Sequence, residues 1–151
     1  MGAIFNFYEV SDTLACSGQP TDDQLKQLAT EQYQVVVNLG LLNTKYSLPD
    51  EAASVKAMQL DYYHIPVMFE NPQIDELADF ITYMNRHPGK KVLVHCAANY
   101  RASVFMGLYL FAINKMDEPA MQLFIEDVWQ PDAVWQQFID EGVEYIKAGS
   151  V

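Results

Sequence analysis

The sequence contains little cysteine, few basic residues and no long apolar run. Its two cysteines are too few for a disulfide framework and lack the spacing of a zinc site. Nine Lys and Arg residues against 20 Asp and Glu give a net charge of -11, which disfavours nucleic acid and anionic membranes as partners. The three histidines have no metal-ligand spacing, so we expect no metal and no other cofactor. An anion-binding site in this chain must therefore be local.

The sequence also shows no targeting or membrane-spanning segment. The opening MGAIFNFYEV does not combine a basic start with an apolar run, so no secretory signal is predicted. The most apolar stretch, residues 104–113, is far shorter than the roughly 20 residues that a membrane span requires. We expect a cytoplasmic protein, or a periplasmic one if a signal peptide has been removed.

Apolar residues make up 50% of the chain and are spread evenly along it, without repeats or linkers. This composition is sufficient for one packed core, so we predict a single domain over residues 1–151. The last third is predicted to be helical, with helices over residues 103–115, from about residue 117, and up to about residue 148.

Strand-like and helix-like segments alternate in the first two thirds of the chain. Thr21 can cap the first helix, and Pro49 followed by two acids marks the start of the second. Because parallel strands need crossover connections, the alternation predicts an α/β fold with a parallel sheet of four or five strands and helices on both faces. The predicted strands are residues 13–16, 34–40, 61–67 and 90–95, and the helices between them lie within residues 18–33, 48–60 and 73–87.

The stretch KKVLVHCAANYRAS places a cysteine directly after the last of these strands. In open α/β sheets, ligands bind at the carboxyl ends of the strands. Backbone N–H groups and the N-terminus of a helix bind anions there and favour a reactive thiolate at Cys96. The planar guanidinium of Arg101 matches two oxygens of a phosphate. We therefore favour a phosphoryl site over the alternative of a buried packing thiol and a solvated arginine.

The segment VHCAANYRAS resembles the phosphate-binding loop of the cysteine-dependent protein tyrosine and dual-specificity phosphatases, whose usual form is His-Cys-x5-Arg-Ser/Thr. The stretches SGQPTDDQL, VVVNLG, YYHIPVMFENP and VWQPDAVWQQFI are similar to a bacterial group of dual-specificity-phosphatase-like proteins. The resemblance implies a phosphatase-like fold with Cys96 as nucleophile and His95 as support for the thiolate. It further implies Arg101 as phosphate clamp and Ser103 as the hydroxyl that assists release of the thiol. The phosphate-binding residues would be Ala97, Ala98, Asn99, Tyr100 and Arg101.

The loop departs from the phosphatase form in two ways. Four residues instead of five separate Cys96 from Arg101, which is also the spacing of the rhodanese-like sulfurtransferase loop, Cys-x-x-Gly-x-Arg. Asn99 replaces a common glycine, although asparagine tolerates the left-handed conformation better than most residues. Two alternatives to a phosphatase therefore remain open: a catalytically weak anion-binding module and a sulfurtransferase.

A phosphatase of this kind also needs an acid that protonates the leaving oxygen. Glu70 follows the preceding strand and should lie at the same sheet edge, so we predict that it has this role. Related phosphatases normally use aspartate here, and Asp75 is better interpreted as a helix-stabilising carboxylate.

We expect hydrolysis of a phosphorylated small molecule or phosphoprotein through a cysteinyl-phosphate intermediate, with inorganic phosphate or sulfate also binding in the loop. By resemblance, Gln19 borders the pocket. Cys16 is either a packing residue or a thiol close to Cys96.

Overall fold

The computed structural model describes residues 4–149, which form a central β-sheet covered by helices. Residues 1–3 and 150–151 of the predicted domain lie outside the described residues. The strands are β1 (Tyr8–Glu9), β2 (Leu14–Ser17), β3 (Val35–Asn38), β4 (Asp61–His64) and β5 (Val92–His95). The helices are α1 (Asp22–Thr30), α2 (Glu51–Ala57), α3 (Ile74–Asn85), α4 (Tyr100–Ala112), α5 (Glu118–Val128) and α6 (Ala133–Lys147). No helix among the described residues is long and apolar enough to cross a membrane.

The sheet has the strand order β1-β2-β5-β3-β4, with β5 at its centre. The pairs β2–β5, β3–β5 and β3–β4 are parallel, which confirms the predicted α/β class. The edge strand β1 was not predicted, and it pairs antiparallel with β2. Its direction follows from a short connection, since the N–H of Val10 already donates to the carbonyl of Leu14 at 2.9 Å. A parallel return would need a long crossover.

The central strands contribute side chains to two apolar layers, because consecutive residues of a strand point to opposite faces. Val36 and Leu93 belong to the layer that α1 and α2 cover. Val37 and Val94 belong to the larger layer that α3, α4, α5 and α6 cover. Helices on both faces and a helical last third are therefore confirmed, and β5 is buried on both sides.

The start of α4 differs from the prediction in a way that affects the site. The helix begins at Tyr100, before the predicted start at Ser103. Asn99 precedes it with a φ of 71°, and this left-handed residue turns the chain directly from the loop into the helix. Arg101 and Ser103 therefore lie in the first helical turn and not in the loop.

Candidate active site

The loop that follows β5 begins at the centre of the carboxyl edge of the sheet. Its first residue, Cys96, is 1% exposed. The N–H of Cys96 donates to the carbonyl of Ser17 at 3.3 Å, and the N–H of Leu39 donates to the carbonyl of His95 at 2.8 Å. The chain segments on both sides of β5 thus hold the start of the loop. This is the position at which parallel α/β sheets bind ligands.

The carbonyl groups of the loop are held away from its centre by two other segments. The N–H of Gln19 donates to the carbonyl of Ala97 at 3.0 Å, and Asn6 Nδ2 donates to the carbonyl of Ala98 at 3.0 Å. In return, Asn99 Nδ2 donates to the carbonyl of Asn6 at 2.9 Å. Because the C=O and N–H of a trans peptide point in opposite directions, the N–H of Ala98 points away from Gln19 and the segment after β2. Among the described residues, no backbone carbonyl accepts a hydrogen bond from the N–H groups of Ala97, Ala98, Tyr100 and Arg101.

Two positions in this arrangement have special backbone requirements. Asn99 has the left-handed conformation that the sequence predicted it would tolerate. A Cβ added at Gly18 would lie 2.6 Å from the carbonyl oxygen of Ala97, which is too close for any side chain. Gly18 therefore allows the segment after β2 to approach the loop and bind its carbonyls.

Arg101 extends from the first turn of α4 toward the loop that follows β4. It is 8% exposed, and its Nη1 donates to the carbonyl of Val67 at 2.7 Å. No carboxylate among the described residues forms an ion pair with it. A nearly buried cation with one carbonyl partner favours an anion beside its remaining N–H groups.

The first turn of α4 also supplies a hydrogen-bond donor to the cysteine sulfur. The backbone N–H of Ala102 donates to Cys96 Sγ at 3.5 Å, a contact that stabilises a thiolate. The hydroxyl of Ser103 instead donates to the carbonyl of Tyr100 at 3.0 Å. The structure therefore places Ser103 directly after the residue that donates to the sulfur, with its hydroxyl proton directed to the helix backbone.

A pocket of about 250 Å³ opens at this edge and is lined by residues of four separate segments. Ala97 and Arg101 line one side, and the exposed Glu70 lines the same pocket from the loop after β4. Asp75 lies outside it, exposed in the first turn of α3. The other lining residues are Gln19, Gly40, Leu41, Thr44, Lys45, Tyr46, Ser47 and Phe69. The structure thus brings Glu70 and Arg101 together and places Gln19 at the border, as expected.

His95 does not face the sulfur but binds a carboxylate that the sequence analysis did not identify as a site residue. His95 Nε2 lies 2.5 Å from Glu51 Oε2, and Gln19 Nε2 donates to Glu51 Oε1 at 2.7 Å. The side chains of His95 and Glu51 are 0% and 1% exposed. Burial by itself would raise the pKa of Glu51, but the hydrogen bond and charge of His95, together with Gln19, lower it. The one sequence signal at Glu51 is the pair of acids at the start of α2. Because acids are common at helix N-termini, this signal does not identify a site residue.

An aromatic cluster supports both sides of the pocket. Trp135 is buried, and its Nε1 donates to the carbonyl of Phe69 at 2.7 Å, which fixes the segment that carries Glu70. Tyr100 stacks on Trp129 with ring centroids 4.4 Å apart and remains 38% exposed. The tryptophans thus connect the last helices to the loops of the site.

Cys16 is fully buried on β2, next to β5. Burial raises the pKa of its thiol to about 12, with the charge of Cys96 acting in the same direction and a hydrogen bond from Asn99 opposing it. These properties agree with a packing role and place Cys16 in the electrostatic neighbourhood of the loop.

The solved structures with the same fold include proteins that are named as phosphatases. The crystal structure of the "Putative phosphatase (DUF442)" from Shewanella putrefaciens is 32% identical over 95% of both chains, with a TM-score of 0.87. Tk-PTP in its active form is 20% identical over 98% of this chain and 99% of that one, with a TM-score of 0.76. PTPMT1 in complex with PI(5)P is 14% identical over 96% of this chain and 99% of that one, with a TM-score of 0.81. No protein-family model and no curated protein matches the chain.

The chain has the fold of Tk-PTP and PTPMT1. At 32% identity over nearly all of both chains, it belongs to the DUF442 family. The resemblance inferred from the sequence is therefore confirmed at the level of family and fold.

Proposed function

We propose that this protein hydrolyses phosphomonoesters through a cysteinyl-phosphate intermediate in the segment of residues 96–103, which comprises the loop after β5 and the first turn of α4. The observation that carries the proposal is the set of backbone N–H groups of Ala97, Ala98, Tyr100 and Arg101 without a backbone acceptor, next to a nearly buried arginine that has no carboxylate partner among the described residues. Such a set of donors matches the oxygens of a tetrahedral dianion and has little other use.

In the proposed first step, the thiolate of Cys96 attacks the phosphorus atom while the bond from phosphorus to the leaving oxygen breaks. The loop amides and the free N–H groups of Arg101 bind the three non-bridging oxygens and stabilise the charge of the transition state. Glu70, at the rim of the same pocket, gives its proton to the leaving oxygen.

In the proposed second step, the Glu70 carboxylate takes a proton from a water molecule that attacks the phosphocysteine. The bond between sulfur and phosphorus breaks, and inorganic phosphate and the Cys96 thiolate are released. The hydroxyl of Ser103 assists this release if it turns from the carbonyl of Tyr100, its present acceptor, toward the sulfur. The substrate is a phosphorylated small molecule or a phosphoprotein.

The spacing of four residues between Cys96 and Arg101 keeps sulfur transfer as a second candidate, because this is the spacing of rhodanese-like loops. In that reaction the thiolate of Cys96 would take one sulfur atom from thiosulfate, forming a persulfide and releasing sulfite. Both reactions use the same nucleophile but leave adducts of different mass.

Covalent trapping separates these functions from simple anion binding. The protein is mixed with p-nitrophenyl phosphate or with thiosulfate, quenched in acid within milliseconds, and weighed by mass spectrometry. We expect a phosphoryl adduct on the peptide that contains Cys96, and none in the Cys96→Ser variant. A one-sulfur adduct would assign sulfur transfer. If neither adduct forms but phosphate binds, the protein is a catalytically weak anion-binding module.

A further inference from the structure

A buried hydrogen-bonded chain connects the start of α2 to the backbone of the loop. It runs from Gln19 through Glu51 to His95, and then to the carbonyl of Cys96, which lies 3.4 Å from His95 Nδ1. The side chains of Glu51 and His95 are 1% and 0% exposed, so water cannot replace either partner. Gln19 also binds the loop directly through its backbone N–H.

The contacts of Glu51 identify the hydrogen-bond donors in this chain. A carboxylate accepts only, so the hydrogen in the 2.5 Å contact lies on His95 Nε2. The second oxygen of Glu51 accepts a hydrogen bond from Gln19. Both carboxylate oxygens therefore have a donor, which favours the ionised form of Glu51. This agrees with the lowered pKa of Glu51, for which burial is opposed by His95 and Gln19.

The other ring nitrogen of His95 faces a group that also only accepts. The carbonyl of Cys96 attracts Nδ1 only when Nδ1 carries a hydrogen. Both partners of the ring therefore favour the form in which both nitrogens donate, which is the positively charged imidazolium. The charge of this imidazolium lies next to the carbonyl of Cys96, 3.4 Å from His95 Nδ1.

We propose that Glu51 is a positioning residue that holds His95 with both ring nitrogens donating, and that the pair thereby fixes the Cys96 carbonyl and stabilises the thiolate. The inference rests on the proposed nucleophilic role of Cys96. Its tests involve no turnover, so it can fail while the phosphatase proposal stands, and the reverse also holds.

Other titratable groups near this chain belong to three further elements. His64 and Tyr62 on β4 interact electrostatically with Glu51, while Cys16 on β2 interacts with Cys96. Arg101 on α4 is a cation that lines the pocket, as is the exposed Lys45. Since His64 is close to Glu51 as well, the experiment must distinguish its signal from that of His95.

The direct test is ¹⁵N NMR of the protein labelled in its histidines, of which there are three. The His95→Gln variant assigns the signals. At about pH 7 we expect both ring nitrogens of His95 to have the chemical shifts of protonated nitrogen. A neutral ring for His95 in the folded protein would overturn the proposal.

The second test measures the alkylation rate of Cys96 by iodoacetamide, followed on its peptide by mass spectrometry. We expect Glu51→Gln to slow the reaction about tenfold near pH 6, where a stabilised thiolate matters, and to leave it unchanged near pH 9. Glu51→Asp keeps the negative charge on a shorter side chain. The alkylation rate of this variant near pH 6 should lie between the rates of Glu51→Gln and the parent protein.

Two controls make the alkylation experiment decisive. Glu76→Gln removes a carboxylate that caps α3 by accepting from the N–H of Gln73, away from the loop, and should alter neither rate. Cys16 is fully buried on β2, and burial raises the pKa of its thiol to about 12, so its alkylation reports unfolding of a variant. A folded Glu51→Gln variant with the parent rate at both pH values would contradict the proposal. If that variant unfolds, the histidine NMR of the parent protein decides.

Discussion

The pocket has two walls that are built in different ways. The wall formed by residues 96–101 contains the buried Cys96, Asn99 and Arg101, and segments distant in sequence hold it through Asn6, Gln19 and the strands beside β5. The opposite wall, formed by residues 41–47, is mostly exposed, and its hydrogen bonds are local. Thr44 and Ser47 bond to each other there, at 2.9 Å from the Thr44 N–H to Ser47 Oγ.

This difference suggests a division of work between the two walls. Groups that react with a phosphoryl group must be held within a fraction of an ångström, and the buried wall has the contacts to do so. A wall whose hydrogen bonds are all local can change its conformation or sequence at little cost to the stability of the fold. We therefore expect changes in the buried wall to affect the chemical step and changes in the exposed wall to affect substrate choice.

The largest effect is expected from Cys96→Ser in the buried wall. A hydroxyl is a far weaker nucleophile than a thiolate, so kcat should fall on the order of a thousandfold or more. The loop amides and Arg101 are unchanged, so phosphate should still bind with similar affinity in calorimetry. Retained turnover would mean that the reaction takes place elsewhere in the protein.

The next largest effect is expected from Arg101→Lys. The charge is kept, but an ammonium group cannot reproduce a guanidinium that bonds Val67 and two phosphate oxygens together. Phosphate binding, measured by calorimetry, should weaken about 10–100-fold. A crystal grown with sulfate should show the anion in contact with this arginine in the parent protein. An empty loop at high phosphate would contradict both the binding and the catalytic proposals.

Glu70→Gln should have an effect that depends on the substrate. Without its proton, kcat should fall about a hundredfold for alkyl phosphates, whose leaving groups are poor, and far less for p-nitrophenyl phosphate. Asp75→Asn, outside the pocket, is the matched control and should change neither rate. An equal loss for both substrates would remove Glu70 from the role of acid.

The smallest effect is expected from Lys45→Ala in the exposed wall. Lys45 is exposed in the pocket lining, with its Nζ 5.0 Å from the ring centroid of Tyr46. Exposed charges contribute little binding energy, so KM should rise only about threefold to tenfold for substrates with a second anionic group, with kcat unchanged. Lys56→Ala, on the exposed surface of α2, serves as control. A large fall in kcat would show that the two walls do not divide the work.

The sequence predicts the buried wall better than the contacts that support it. Cys96, Arg101 and Ser103 are close in sequence, and their spacing after an apolar strand identifies the loop. The partners of that loop could not be found in the same way. Asn6 bonds to Ala98 across 92 residues of sequence, through contacts that exist only once the sheet has formed.

Local patterns also explain two differences between prediction and structure. Asn99 was predicted to tolerate a left-handed conformation, but its effect of starting α4 early depends on the exact path of the loop. Glu51 resembles any acid in the first turn of a helix, a position that ordinarily reflects the helix dipole. His95 ends β5, and Glu51 begins α2, the helix that follows β3 in sequence. The pairing of β3 with β5 brings these two residues together, and the sequence alone does not show that pairing.

The aromatic cluster behind the pocket provides the molecule with an internal optical reporter. The chain has two tryptophans, and their ring centroids are 6.3 Å apart in this cluster. One indole stacks on Tyr100 at the start of α4, and the other donates to Phe69 in the segment that carries Glu70. Tryptophan fluorescence therefore comes from residues that contact the two loops of the site. Events at the pocket can be followed in the unlabelled protein, by emission intensity and on a millisecond timescale.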